Sequence, residues 1–250
     1  MLTMLTGKRA LVAGASRGIG LAIARALAEA GAHTILASRS LETLQGIASQ
    51  LNGSALELDL SSTDSIHQCA EEAGAVDILV NVAGINIRKA FEDYTDAEYS
   101  AIMQTNLHGI AQLTQRIGAG MIQRGAGGKI ISIGSLMSMR GLSYMAIYAM
   151  TKGAILQLTR ALAAEWSRYN IQVNCIAPGF IITDLNRAMW QSPELRKWLE
   201  GVQANPHPGK PEDVAPLAVF LAGPGSDYIT GQVIAVDGGY STTANWPFHP

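Results

Sequence analysis

Val12-Ala13-Gly14-Ala15-Ser16-Arg17-Gly18-Ile19-Gly20 follows a short apolar run, Arg9 to Ala13, and opens a helical pattern, Ile19 to Ala30, that Gly31 closes. Gly14 lets the chain turn tightly, Gly18 lets backbone approach a ligand, and Gly20 lets the helix pack closely. A helix N-terminus entered through such a turn offers free N–H groups and a partial positive charge. Strand, glycine turn and helix in that order point to a dinucleotide whose pyrophosphate meets Gly14, Ser16, Arg17, Gly18, Ile19 and Gly20. The spacing is Gly-x3-Gly-x-Gly.

Outward from this turn, apolar runs alternate with helical patterns. Strands are expected at Thr34–Ala37, Ala55–Leu58, Val76–Val80, Lys129–Ile133, Ile171–Ile176 and Val233–Val236. Helices are expected at Leu41–Leu51, Thr63–Ala73, Asp96–Gln123, Tyr144–Tyr169 and Pro211–Leu221. The strands are continuous apolar runs, which suits a parallel sheet covered on both faces. The expectation is a single α/β domain over 1–250, a doubly wound parallel sheet of about seven strands with helices on both faces. The irregular stretch 178–211, rich in proline, would lie at a strand's carboxyl end, where such folds bind ligands, and reads as a substrate lid or as a packing flap.

The chain has 250 residues, 48% of them hydrophobic and 15% charged, which excludes disorder as the dominant state. Eighteen basic against 20 acidic side chains give a net charge of −2, no footprint for nucleic acid or an anionic membrane. Two cysteines, Cys69 and Cys175, form no framework and suit a reducing, cytoplasmic setting. Five scattered histidines make no metal spacing, no apolar run is long enough to cross a membrane, and Lys8-Arg9 leads into the first strand without a signal peptide.

The second strand ends in Ala37-Ser38-Arg39-Ser40, without the carboxylate that usually meets an NAD ribose. Ser38 and Arg39, with Arg17, suit a 2′-phosphate, so NADP(H) is preferred and NAD(H) stays possible. Tyr148 and Lys152 lie one turn apart on a predicted helix. An ammonium beside a phenol stabilises its phenolate. Ser135, after a strand end, is placed to hold a substrate oxygen, and the three together would move a proton while a hydride moves at the cofactor.

With these motifs the sequence closely resembles the short-chain dehydrogenase/reductase family over essentially its whole length. Gly14, Gly18 and Gly20 match the cofactor turn, Asp59-Leu60 the adenine contact, and Asn81-Val82-Ala83-Gly84 the segment after the fourth strand. Asn106, Ser135, Tyr148 and Lys152 match the catalytic four. The resemblance implies a Rossmann-type fold and ketone/alcohol interconversion. It implies Tyr148 as general acid or base, Lys152 on the nicotinamide ribose, Ser135 on the substrate oxygen and Asn106 supporting a water beside Lys152. Asp59 and Asn81 would hold the adenine side, and Pro178, Gly179, Ile181 and Thr183 the nicotinamide end. Ala13 and Val82 stand where the family usually has threonine and asparagine, which puts the usual hydrogen bonding between the first turn and the fourth strand in doubt.

The substrate reading puts a bulky ketone first and a sugar acid as the alternative. The wall formed by Leu136, Met137, Met139, Leu142, Tyr144, Met145, Met189 and Trp190 suits a bulky ketone and a carbonyl reductase. Arg88 and Lys89 near the mouth suit a carboxylate, and Ala83 to Lys89 resembles enzymes of the gluconate 5-dehydrogenase type. A 3-oxoacyl reductase is a further family option, and a non-catalytic NADP-binding sensor is the reading of another class. The family also implies a homotetramer, with the Asp96 and Tyr144 helices in one interface and the last strand and the tail (Tyr240, Trp246, Pro247, Phe248, Pro250) in another.

Overall fold

Ala10 and Val12 point to one face of the first strand, β1 (Arg9–Ala13), and Leu11 and Ala13 to the other; all four are buried. Both faces are therefore covered, and the strand reads as an unbroken apolar run instead of an alternating one. The computed structural model, which describes residues 4–244, repeats this arrangement across seven parallel strands. They are β1, β2 (His33–Ser38), β3 (Ser54–Glu57), β4 (Ile78–Asn81), β5 (Gly128–Ile133), β6 (Ile171–Pro178) and β7 (Val233–Val236). Their order is β3-β2-β1-β4-β5-β6-β7. The order reverses between β1 and β4, so the carboxyl ends of these neighbours, paired at Ala13 and Asn81, frame a crevice.

One core joins the Val12 face to α1 (Gly18–Glu29), α2 (Leu41–Gln50) and α8 (Pro211–Ala222), through Ile23, Leu27, Leu44, Val214 and Leu221. The other joins the Leu11 face to α3 (Thr63–Ala73), α5 (Gly109–Arg124) and α6 (Ala146–Trp166), through Ile66, Leu113, Ile117, Ile155 and Trp166. Each such side chain contributes about 1.5–3 kcal/mol of hydrophobic stabilisation. No helix among the described residues is long and apolar enough to cross a membrane.

The structure differs from the sequence reading at three elements. The expected single helix from Asp96 to Gln123 is α4 (Asp96–Met103) and α5, separated by a π-helical turn at Gln104–His108 that carries Asn106. Met103, Gln104, His108 and Gly109 keep helical torsions, so the chain stays helical through the break. The helix expected from Tyr144 begins at Ala146. Tyr144 has φ +66°, a left-handed conformation that ends the preceding loop. Within 178–211 the chain forms a 3-10 turn (Met189–Gln191) and α7 (Pro193–Val202), started by Ser192 accepting from the Leu195 N–H. Tail residues Trp246, Pro247, Phe248 and Pro250 lie outside the described residues.

Candidate active site

The glycine turn closes directly against the end of β4. Gly14 has φ +97°, and a Cβ there would stand 2.6 Å from the Ala83 nitrogen. The Val82 and Ala83 N–H groups both donate to the Ala13 carbonyl at 2.9 Å, and Gly14 N donates to Ala37 O. The link across the switch point is made by backbone. The threonine and asparagine side chains that Ala13 and Val82 lack are not needed for it.

Helix α1 has no side-chain cap and no acid in its first turn, whereas α3, α4 and α7 are capped by Ser62, Thr95 and Ser192. Its first N–H groups are left for an anion. Arg17 and Arg39 are exposed. Asp59 sits on the same side, its carboxyl held below the usual range by hydrogen bonds from the Ser61 hydroxyl and N–H, and further by the charge of Arg39. Leu60 is buried in the core, with Gly109 packed on its carbonyl. This donor set fits a phosphorylated dinucleotide: an uncapped helix N-terminus, a turn with no room for a side chain, and two exposed guanidiniums.

The Asn81 side chain is buried and donates to Thr114 Oγ1 at 2.9 Å, tying β4 to α5. Asn106 is also fully buried. Its amide pairs with both backbone groups of Ile85, accepting from N and donating to O at 2.8 Å each, and also reaches Thr151. Its side chain thus fixes the segment after β4. The π-turn brings it there by shifting the helix face. Gly84, the next residue down the crevice, would place a Cβ 3.3 Å from Asn106 Oδ1 and 3.8 Å from Lys152 Nζ.

Ser135, Tyr148 and Lys152 come together at the mouth of this crevice. Lys152 is buried, its Nζ 2.7 Å from the Ile133 carbonyl and 5.6 Å from the Tyr148 ring centre. Tyr148 is half-buried and its hydroxyl has no partner among the described residues. Ser135 Oγ accepts from the Met137 N–H, which leaves its own proton for a substrate oxygen. Ser138, which the sequence reading missed, completes the link. It accepts from Ser135 N and donates to the Lys152 carbonyl, fixing the serine loop to α6. No motif marks it, since an ordinary serine three residues away carries no periodic signal.

The segment after β6 runs over the start of α1. Thr183 Cγ2 lies 3.4 Å from where a Gly18 Cβ would be. Asn186, also missed, organises this stretch by accepting from Thr183 N and donating to Ile181 O. Ile181 itself is buried. A cavity of about 780 Å³ lies on the far side of this segment. It is lined by Gly18, Arg25, Thr183, His207, Lys210 and Asp237 among others, and by neither Ser135 nor Tyr148.

Of the expected apolar wall, Trp190 (1% exposed), Met137 and Leu136 (4% each) are core residues. All three are buried, and Trp190 packs edge-to-face on Phe180. Tyr144 and Met139 are exposed, and Met145 and Met189 are half-buried. Arg88 is exposed, its guanidinium meeting the Met189 thioether at 2.7 Å. Lys89 is paired with Glu98. No group of His, Cys, Asp and Glu among the described residues is arranged for a metal.

Comparison with known proteins agrees with this geometry. The family model described as Enoyl-(Acyl carrier protein) reductase matches residues 14–241. The chain belongs to the short-chain dehydrogenase/reductase family. A tropinone reductase homolog of Arabidopsis thaliana is 38% identical over 247 residues, 95% of this chain and 93% of that protein. Gluconate 5-dehydrogenase of Gluconobacter oxydans is 35% identical over 97% of this chain and 98% of its own. The crystal structure of a gluconate 5-dehydrogenase from Burkholderia cenocepacia in complex with NADP and tartrate superposes with a TM-score of 0.93, at 36% identity, over 97% of this chain and 98% of that one. This short-chain dehydrogenase/reductase is thus an NAD(P)-dependent oxidoreductase acting on CH–OH and C=O groups through a Ser/Tyr/Lys motif.

Proposed function

We propose that this enzyme interconverts the keto and hydroxy forms of a sugar-acid-type substrate with NADP(H). The observation that carries the substrate class is Arg88: an exposed guanidinium at the mouth, with a thioether and no carboxylate against it, beside a lysine already neutralised by Glu98. A substrate carboxylate would replace a weak sulfur contact with charge-assisted hydrogen bonds. The likeness to the two gluconate 5-dehydrogenases supports the same class. It is favoured over the bulky ketone because Trp190, Met137 and Leu136, the heart of the expected apolar wall, are core residues. Exposed Arg17 and Arg39, with no acid ending β2, support NADP(H), as does the NADP held by the Burkholderia relative.

The nicotinamide, when bound, supplies or accepts the hydride. Tyr148 gives a proton from its hydroxyl to the carbonyl oxygen in reduction and takes it back in oxidation. Lys152 stabilises the phenolate so formed. Ser135 donates a hydrogen bond to the same substrate oxygen, polarising the carbonyl. Residues 178–211, as the lid in this reading, would close the crevice against water.

The test follows NADPH and NADH oxidation with a 5-keto sugar acid, a 3-oxoacyl thioester mimic and several bulky cyclic ketones. The expected result is turnover of the keto acid with NADPH, and a KM raised at least about tenfold in Arg88→Ala with kcat little changed. Turnover of the cyclic ketones alone would overturn the substrate class, and silence across the panel with tight NADPH binding would favour a sensor.

A further inference from the structure

The ring of Phe180, two residues beyond β6, is the centre of three edge-to-face contacts. Trp190 stands at 5.7 Å, Trp198 of α7 at 5.4 Å and Tyr240 at 5.1 Å, with Trp198 and Tyr240 also 6.2 Å apart. Trp190 and Trp198 belong to the segment between β6 and α8. Tyr240 belongs to the turn after β7. That segment has a narrow neck, because Ile182 N donates to Gly209 O and Gly209 N to Phe180 O. Those two hydrogen bonds close the neck, and the loop between them rests its apolar underside on Phe180 and Tyr240.

The turn under it is itself anchored. Asp237, 9% exposed, accepts from Gly239 N and Ser241 N, which shapes the turn that presents Tyr240. Asn205 N donates to Gly238 O. On the opposite side, Arg140 Nη2 donates to the Ser241 carbonyl at 2.5 Å. Arg140 follows the 3-10 turn that Ser135 opens, so contacts run from the serine loop through Arg140, Ser241 and Tyr240 to Phe180 and the two tryptophans.

We propose that Arg140 and Tyr240 are positioning residues that hold the covering segment closed over Ser135 and Tyr148, so that the turn after β7 sets the fit of the substrate. The inference rests on reading 178–211 as the lid of a hydride-transfer site. Neither residue touches the reacting atoms. Arg140 acts through a carbonyl and Tyr240 through an aromatic face, so the ring of Tyr240 matters and its hydroxyl does not.

The test compares Arg140→Ala, Tyr240→Ala and Tyr240→Phe with the parent by two readouts. The first is the rate of trypsin cleavage within the segment, at Arg187, Arg196 and Lys197, which are all exposed. The second is KM against kcat for a 5-keto sugar acid with NADPH. Arg140→Ala and Tyr240→Ala are expected to be cut about tenfold faster, to raise KM several-fold and to leave kcat within about threefold, whereas Tyr240→Phe behaves as the parent. Arg140 is exposed, so its alanine variant keeps the fold even where Tyr240→Ala does not. Parent-like cleavage of Arg140→Ala, or Tyr240→Phe behaving as Tyr240→Ala, would overturn the proposal. Cleavage needs no substrate, so the result stands apart from the assignment of the reaction, which fails separately if Tyr148→Phe retains full turnover.

Discussion

Lys152 Nζ stands 5.6 Å from the centre of the Tyr148 ring, yet its hydrogen bond goes to the Ile133 carbonyl at the end of β5. Strand and helix thus hold the ammonium from two sides: α6 supplies its backbone and β5 its acceptor. Ser138 adds a third tie by bonding the Lys152 carbonyl to the loop of Ser135. The positive charge reaches the phenol from a fixed place, with little reorganisation left for the reaction.

Tyr148→Phe isolates the proton transfer. The lost hydroxyl has no partner among the described residues, so melting temperature should be unchanged. NADPH affinity, measured by fluorescence titration, should stay within about twofold, while turnover falls by about 10²–10⁴.

Arg39→Ala addresses the cofactor. Removing a charge-assisted contact to a 2′-phosphate should weaken NADPH at least about tenfold and NADH hardly at all. Equal losses for the two cofactors, read in parallel titrations, would refute that role for Arg39.

Two glycine substitutions should have opposite signs. Gly14→Ala places a methyl 2.6 Å from the Ala83 nitrogen at φ +97° and should cost about 1–3 kcal/mol along with cofactor affinity. Gly46→Ala, inside α2 with nothing within 4 Å of the new methyl, should gain about 0.4–1 kcal/mol. Urea midpoints decide both.

Burial pushes the Cys69 thiol up to about 12 and that of Cys175 up to about 11. At pH 8 neither should react with a thiol reagent until the chain unfolds. An unfolded thiol ionises near pH 8.5 while the folded ones keep their protons. Their contribution to stability is therefore complete below that pH and declines as pH rises through 11 and 12. Alkaline melts of Cys69→Ala and Cys175→Ala should show a shallower decline.

The alternation of short apolar runs with amphipathic helices determined the seven-stranded parallel fold, because burial on both faces of a sheet leaves a pattern in consecutive residues. The glycine turn and the Tyr148–Lys152 pair were legible for a similar reason: their spacing is local, within one turn or one helix. What joins distant segments was not. The π-turn that carries Asn106 keeps helical torsions and has no residue signature, and Ser138 and Asn186 act through single hydrogen bonds to parts of the chain the sequence does not mark. Burial of Trp190 was decided by Phe180 beneath it, since a tryptophan beside prolines reads equally as lid, wall or core. Asn81 turned inward because Thr114, 33 residues on, offers its hydroxyl there. Local periodicity and motif spacing set the elements and most of the reacting groups. Only packing between elements far apart in sequence decided which polar side chains face the crevice and which hold it in shape.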